Sequence, residues 1–296
     1  MSHSIALIGA GAMGGAIGAR LARTGTALRV FDRNAAQMQP LVALGATATG
    51  SAAEAAAGAP AVILSLNSAR IVRAAVFGED GVAAGAAPGT LIIDMSSIDP
   101  ASTQELAREA HERGLRWVDS PLSGGAPKAA IGQLTLMQGG AEDDVAEAQR
   151  VLAQVAANQT RMGAAGAGQT TKLINQVLCG LNFLAVAEAT ALAEAAGVAA
   201  ERIPAALAGG RADSAILQEY MPRFAGRDYR PTGRIDNMVK DLDGARDLAR
   251  LSHTPMPLTV VCAEVHRLLT ARGLGDQDQA ALMEFFPNPL AKEASR

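Results

Sequence analysis

Two glycine-containing segments and one polar helix face in this 296-residue chain could do chemistry. The first segment is Gly9-Ala10-Gly11-Ala12-Met13-Gly14, directly after the apolar run Ile5-Ala6-Leu7-Ile8. Glycines at that spacing let a strand turn tightly into a helix, bring backbone close to a pyrophosphate and pack helix on sheet. The phosphates would meet the helix N-terminus, where backbone N–H groups lack intrahelical partners. A second apolar run, Leu28-Arg29-Val30-Phe31, ends at Asp32, eighteen residues beyond Gly14. A carboxylate there accepts hydrogen bonds from the adenosine ribose hydroxyls and repels a ribose phosphate, which favours NAD over NADP. The adjacent Arg33 keeps NADP open, since a guanidinium can stack on adenine or recruit that phosphate.

The second segment is Ser123-Gly124-Gly125. Glycines free consecutive backbone amides to point together at an anion, and a serine hydroxyl adds a donor, so a substrate carboxylate fits. The same three residues also suit a tight turn. The polar face comprises Lys172 and Asn175, three apart on an expected helix, with Gln169 a turn earlier and Gln176 nearby, four polar residues in one patch.

These groups need a frame. From residue 5 to about 160, short apolar runs alternate with Ala-rich or amphipathic stretches, the pattern of beta-alpha units building a parallel sheet. Strands are expected at Ile5-Ile8, Ala27-Phe31, Ala61-Leu66, Leu91-Met95, Arg116-Asp119 and Thr135-Gln138. After Gly163-Ala-Ala-Gly166-Ala-Gly168 nearly every long segment reads as helix. The first, Thr170 to Ala196, carries Leu173, Ile174, Val177, Leu178, Leu181 and Leu184 at helical spacing, stops at Gly197 and would be about 40 Å long. The expected architecture is therefore α/β, with a doubly wound parallel sheet over residues 1–165 and an all-α domain over 166–296, joined by a long interdomain helix.

Composition narrows the options. The chain is 49% hydrophobic and 19% charged, enough to bury a large core, and its net charge of -3 with no basic stripe argues against a nucleic-acid partner. Cys179 and Cys262 are far apart in apolar surroundings and read as buried thiols. No signal-type leader precedes Ile5, and Glu188 and Glu194 interrupt the apolar stretch Phe183 to Ala200, so a soluble, cytoplasmic protein without a membrane partner is expected. His3, His111, His253 and His266 lack metal-ligand spacing.

Taken in order, the glycine loop at 9–14, Asp94-Met-Ser-Ser-Ile-Asp-Pro100, Asp119-Ser-Pro-Leu-Ser-Gly-Gly-Ala-Pro-Lys-Ala-Ala-Ile-Gly132, Gly166-Ala-Gly168-Gln-Thr-Thr-Lys172-Leu-Ile-Asn175 and Lys240-Asp241-Leu242 resemble the beta-hydroxyacid dehydrogenases. This group contains hydroxyisobutyrate dehydrogenases and tartronate semialdehyde reductases. The resemblance implies a Rossmann domain and hydride transfer between NAD(P) and a small 3-hydroxy acid or its semialdehyde. It makes Lys172 the acid/base, Asn175 an orienting residue and Ser123, Gly124 and Gly125 the carboxylate site. Gly9, Gly11, Ala12, Met13, Gly14, Asp32, Arg33, Leu66, Asn67, Ser97 and Lys240 would surround the cofactor. To accept the alcohol proton Lys172 would need a pKa lowered by burial or a nearby cation. The ending Gly273-Leu-Gly-Asp276-Gln-Asp278 also resembles the family, and relatives imply a homodimer or homotetramer. Two alternatives are an imine reductase-like NADPH enzyme, a group that usually lacks this lysine, and a non-catalytic nucleotide-binding module that would have lost Lys172 or Ser123-Gly124-Gly125.

Overall fold

The computed structural model describes residues 4–286, so His3 and the end of the 166–296 expectation lie outside the described residues. Two compact units divide the chain between Lys172 and Leu173.

In the first unit, the opening elements are β1 (Ile5–Ile8), α1 (Ala12–Arg23), β2 (Leu28–Phe31), α2 (Ala35–Val42), β3 (Thr47–Ala48), α3 (Ala52–Ala56) and β4 (Ala61–Leu64). Then come α4 (Ala69–Phe77), α5 (Val82–Gly85), β5 (Leu91–Asp94), α6 (Pro100–Glu112), β6 (Arg116–Asp119) and β7 (Leu122–Ser123). α7 (Gly125–Ala130), β8 (Leu134–Gly139), α8 (Glu142–Leu152) and β9 (Ala156–Gly163) complete it, before α9 (Ala167–Ala195) begins. The strands form one sheet in the order β3-β2-β1-β4-β5-β6-β8-β7, with β9 also on β8.

All six expected strands form, with ends shifted by no more than two residues. The central strands are almost wholly apolar because both sheet faces are covered. Alternation sends Leu7, Val30, Ile63, Ile93 and Val118 into one core, and Ala6, Ile8, Val62, Leu64 and Ile92 into the other. β1 to β6 are mutually parallel, as expected. The far end of the sheet corrects that expectation, because β8 runs antiparallel to β6 and β7 and parallel to β9. β9 escapes a hydropathy reading since five of its eight residues, Ala157, Asn158, Thr160, Arg161 and Met162, are exposed.

Three helices of the first unit begin at short polar side chains that cap them. Ser51, Ser68 and Asp99 accept the backbone N–H of Glu54, Ile71 and Ser102 at the starts of α3, α4 and α6. α9 ends as its sequence suggests: Gly197 has φ 73°, and the N–H of Val198 returns to the Ala193 carbonyl at 2.8 Å. By length and composition α9 is apolar enough to cross a membrane.

The second unit contains the rest of α9 together with α10 (Ile203–Leu207), α11 (Ala215–Ala225), α12 (Ile235–Leu251), α13 (Pro257–Leu269) and a 3-10 segment over Gln279–Phe285. Its core gathers Val186, Leu217, Tyr220, Phe224, Ile235, Leu269 and Leu282, with the Phe183 ring edge-on to Tyr220 at 4.6 Å. Gly180 gives α9 room beside Met238, Leu242 and Cys262, where an added Cβ would lie 3.2 to 3.5 Å from all three. The division between the two compact units falls inside α9, whose first turn hydrogen-bonds through Gln169 to Ser96 after β5 and to Asp119 at the end of β6.

Candidate active site

The register aligns Ile8 with Leu64, Leu64 with Asp94 and Asp94 with Asp119, so the segments following β1, β4, β5 and β6 leave the sheet along one carboxyl edge. Ligands of open parallel sheets bind at such edges. The expected residues of the first unit, from the glycine loop to Ser123, follow these strand ends.

The glycine loop is shaped by contacts that exclude side chains. Gly9 has φ 94°, and a Cβ on it would overlap the Ser65 carbonyl. One on Gly14 would overlap the Gly9 carbonyl. Gly11 is different: it is exposed, nothing lies within 4 Å of where its Cβ would be, and no side chain caps α1, which it starts. Exposed Ala12 and half-buried Met13 follow it. Open space at an uncapped helix start is what a dinucleotide pyrophosphate requires, so the loop fits that cofactor. Asp32 is tied to the same loop, since its Oδ2 accepts the Ala10 N–H at 2.7 Å and its Oδ1 accepts that of Asn34 at 2.8 Å. Each oxygen keeps a lone pair for a ribose hydroxyl. Arg33 beside it is exposed.

Leu66 and Asn67 follow β4; the Leu66 N–H reaches Ser96 Oγ at 3.0 Å, and Asn67 is exposed. Ser97 follows β5 and is half-buried. Ser123 pairs with Thr135 across β7 and β8, and Gly124 and Gly125 then take φ values of 120° and 67°, which only glycine adopts without strain. Lys172 is half-buried on α9, at the end of the first unit.

Of the four residues of the expected polar patch, Gln169 is the buried one. Gln169 is 1% exposed and directs its amide to the backbone around Ser97. Asn175 and Gln176 belong to the second unit, where Asn175 Nδ2 donates to Gln176 Oε1 at 2.9 Å and Gln176 Nε2 donates to Asp241 Oδ2 at 2.6 Å. Lys240 lies on the exposed side of α12 with Nζ 3.5 Å from Asp241 Oδ1, while Leu242, Ala245 and Ala249 are buried.

Two carboxylates were not assigned roles from sequence. Asp94 and Asp119 end adjacent strands, and both are fully buried. Asp119 Oδ1 accepts the Gly166 N–H at 2.8 Å and Oδ2 accepts that of Gln169 at 2.9 Å, so β6 supplies the cap for α9. Asp94 Oδ1 accepts the Ser96 N–H at 3.0 Å, whereas Oδ2 is buried without a hydrogen-bond partner. Burial pushes both carboxyls up to about 6. Their sequence signal was present: each closes a short apolar strand, where a charged residue is unusual. A surface concavity of about 370 Å³ bordered by His111, Arg116, Trp117 and Arg161 contains none of the expected site residues.

Comparison with known proteins adds to this geometry. Residues 4–163 match the family described as the NAD binding domain of 6-phosphogluconate dehydrogenase. Residues 166–286 match the one described as NAD-binding of NADP-dependent 3-hydroxyisobutyrate dehydrogenase. The chain is 34% identical over 288 residues to the L-threonate dehydrogenase of Cupriavidus necator, covering 97% of each chain. It is 35% identical to the 3-sulfolactaldehyde reductase of Escherichia coli, covering 95% of each. A crystal structure of 3-hydroxyisobutyrate dehydrogenase from Salmonella typhimurium superposes with TM-score 0.86 at 32% identity, covering 96% of this chain and all of that one.

Proposed function

Since the chain belongs to the beta-hydroxyacid dehydrogenases, NAD(P)-dependent enzymes of small hydroxy acids and semialdehydes, we propose that it uses NAD in preference to NADP and that Lys172 is its acid/base. The observation that carries the reading is the common carboxyl edge. The open glycine loop, the Asp32 carboxylate, the positive-φ Gly124-Gly125 pair and the start of the Lys172 helix all belong to it.

The dinucleotide, when bound, supplies the hydride acceptor or donor. Gly9, Gly11, Ala12, Met13 and Gly14 hold its pyrophosphate, Asp32 takes the ribose hydroxyls, and Leu66, Asn67, Ser97 and Lys240 are its further neighbours. Ser123 Oγ and the amides of Gly124 and Gly125 take the substrate carboxylate, and Asn175 orients the substrate. As hydride leaves the alcohol carbon, the hydroxyl proton passes to the neutral Lys172 amine, and the C–O bond becomes a carbonyl. In the reverse direction the protonated amine donates to the oxygen of the aldehyde as it gains charge. Neither the imine reductase nor the non-catalytic alternative is favoured, because dehydrogenases and reductases of hydroxy acids match nearly the whole chain.

We further propose a homodimer or homotetramer. Ile174, Leu178 and Leu192 on α9, and Leu258, Val261 and Leu268 on α13, are exposed apolar residues of the kind a second copy would cover. Exposed Glu188 within α9 argues against a lipid-facing role.

The test is NAD and NADP reduction at alkaline pH with L-threonate, L-serine and 3-hydroxyisobutyrate, comparing wild type with Lys172→Ala. Turnover that falls by about three orders of magnitude in the variant supports the assignment, within the range typical of general acid/base groups. Equal rates would remove Lys172 from the chemistry.

A further inference from the structure

The start of α9 carries a residue whose hydrogen bonds reach two other segments at once. Gln169 donates its backbone N–H to Asp119 at the end of β6. Its side-chain Nε2 donates to the Ser96 carbonyl at 2.8 Å, and its Oε1 accepts the Ile98 N–H at 3.4 Å. The two side-chain bonds fall on either side of Ser97. Ser96 extends the connection, since its Oγ accepts the Leu66 N–H beyond β4 and its own N–H is held by Asp94. A buried primary amide is costly unless both ends are satisfied, and this one is matched to backbone groups of a single loop. Lys172 lies three residues further along the same helix, a rise of about 4.5 Å.

We propose that Gln169 is a positioning residue that sets the Ser97 loop and the Lys172 helix at a fixed separation. The inference rests on the reading of Lys172 as acid/base and Ser97 as a cofactor neighbour. The loop after β5 and the first turn of α9 have no covalent reason to keep register, being joined through about seventy residues of intervening chain. The amide supplies that register, and with it the distance between the dinucleotide face of the unit and the Lys172 amine. Proton and hydride must leave one carbon and its oxygen together, so a shift of the order of 1 Å between the two acceptors is costly, about a hundredfold in rate.

The experiment uses the full-length protein with Gln169→Met, which keeps the length of the side chain and removes both hydrogen bonds. Expected are a fall in kcat of ten- to a hundredfold, a KM for the hydroxy acid within about threefold of wild type, and a larger primary deuterium isotope effect with substrate deuterated at the reacting carbon. The Kd for NAD, read by quenching of protein fluorescence, is expected to rise several-fold because the Ser97 loop is released. Unchanged kcat, isotope effect and Kd in a folded variant, with only the melting temperature lowered, would reduce Gln169 to a structural cap and overturn the proposal. If wild type turns over none of the acids, or Lys172→Ala equals wild type, the acid/base reading fails separately, and the Kd of Gln169→Met still decides whether the residue holds the cofactor loop. Should Gln169→Met not fold, amide exchange in wild type replaces it: NAD is expected to slow exchange at Thr170 to Lys172 along with Ile98, and slowing at Ile98 alone would overturn the coupling.

Discussion

The carboxylate of Asp119 accepts the backbone N–H of Gln169 at 2.9 Å, joining the end of β6 to the first turn of α9. The approach is possible because Gly168 lacks a side chain: a Cβ there would lie 2.7 Å from Asp119 Oδ2 and 2.5 Å from the Met137 carbonyl. Neither neighbour can retreat, since one is hydrogen-bonded and the other is strand backbone. Gly168→Ala is expected to destabilise the protein by about 2 kcal/mol, as forced overpacking does, and to lower turnover by moving the start of the helix. Urea unfolding checks the first part, and a loss under about 0.5 kcal/mol would mean that the gap can open freely.

Asp32 holds the glycine loop through Ala10 while facing the expected ribose. Asp32→Ser keeps a small polar group but removes the charge. The ratio of kcat/KM for NAD to that for NADP is expected to drop about tenfold or more, the worth of one charge-assisted hydrogen bond plus relief of repulsion. Steady-state kinetics with each cofactor measures it, and an unchanged ratio would shift the choice to Arg33.

The buried aspartates give an unusual pH dependence. Asp94 ionises near 3.8 when unfolded and at about 6 when folded, so between those values the folded state holds more protons than the unfolded one. Stability from this group is therefore full below about pH 4, falls as pH rises toward 6 and is level above. Asp119 acts in the same sense. Urea unfolding of wild type and Asp94→Asn from pH 4 to 8 is expected to show the wild type losing ground as pH rises to 6. A gap that moves the other way would mean that the carboxylate is stabilised in the fold.

Asp278 is fully buried in the second unit. Its Oδ2 accepts the N–H groups of Thr232 and Gly233 and the Thr232 hydroxyl, and its Oδ1 lies 3.2 Å from Arg223 Nη2. Asp278→Ala strips one partner from a buried ion pair and is expected to cost about 3 to 5 kcal/mol. Asp276→Ala, at an exposed position two residues earlier, should stay within about 0.5 kcal/mol by thermal or urea unfolding.

Strand positions, the glycine turn and the long helix were legible because apolar runs and glycines act locally. The reversal of β8 was not, since direction depends on which neighbour a strand meets, and nothing in Leu134-Thr-Leu-Met-Gln-Gly139 differs from a parallel strand. β9 was missed because most of its residues face outward. Around the site, sequence singled out Lys172 and Ser97 but placed Gln169 in the same polar patch as Lys172. Helical spacing gives the direction in which a side chain leaves its helix, and not which loop it will meet there. Asp94 and Asp119 were visible as strand-end carboxylates, yet the partners of Asp119 lie on a segment that only the fold brings beside it.

The cap of α9 comes from Asp119, 47 and 50 residues before the amides it holds. Helices α3, α4 and α6 carry their caps in their own sequence, in Ser51, Ser68 and Asp99. Those side chains lie three residues from the amides they hold, whereas Gly166 and Gln169 meet their carboxylate only where β6 and α9 are packed together. Loosening the end of β6 would therefore also loosen the turn that bears Lys172, so that turn is only as firm as the sheet edge it is tied to.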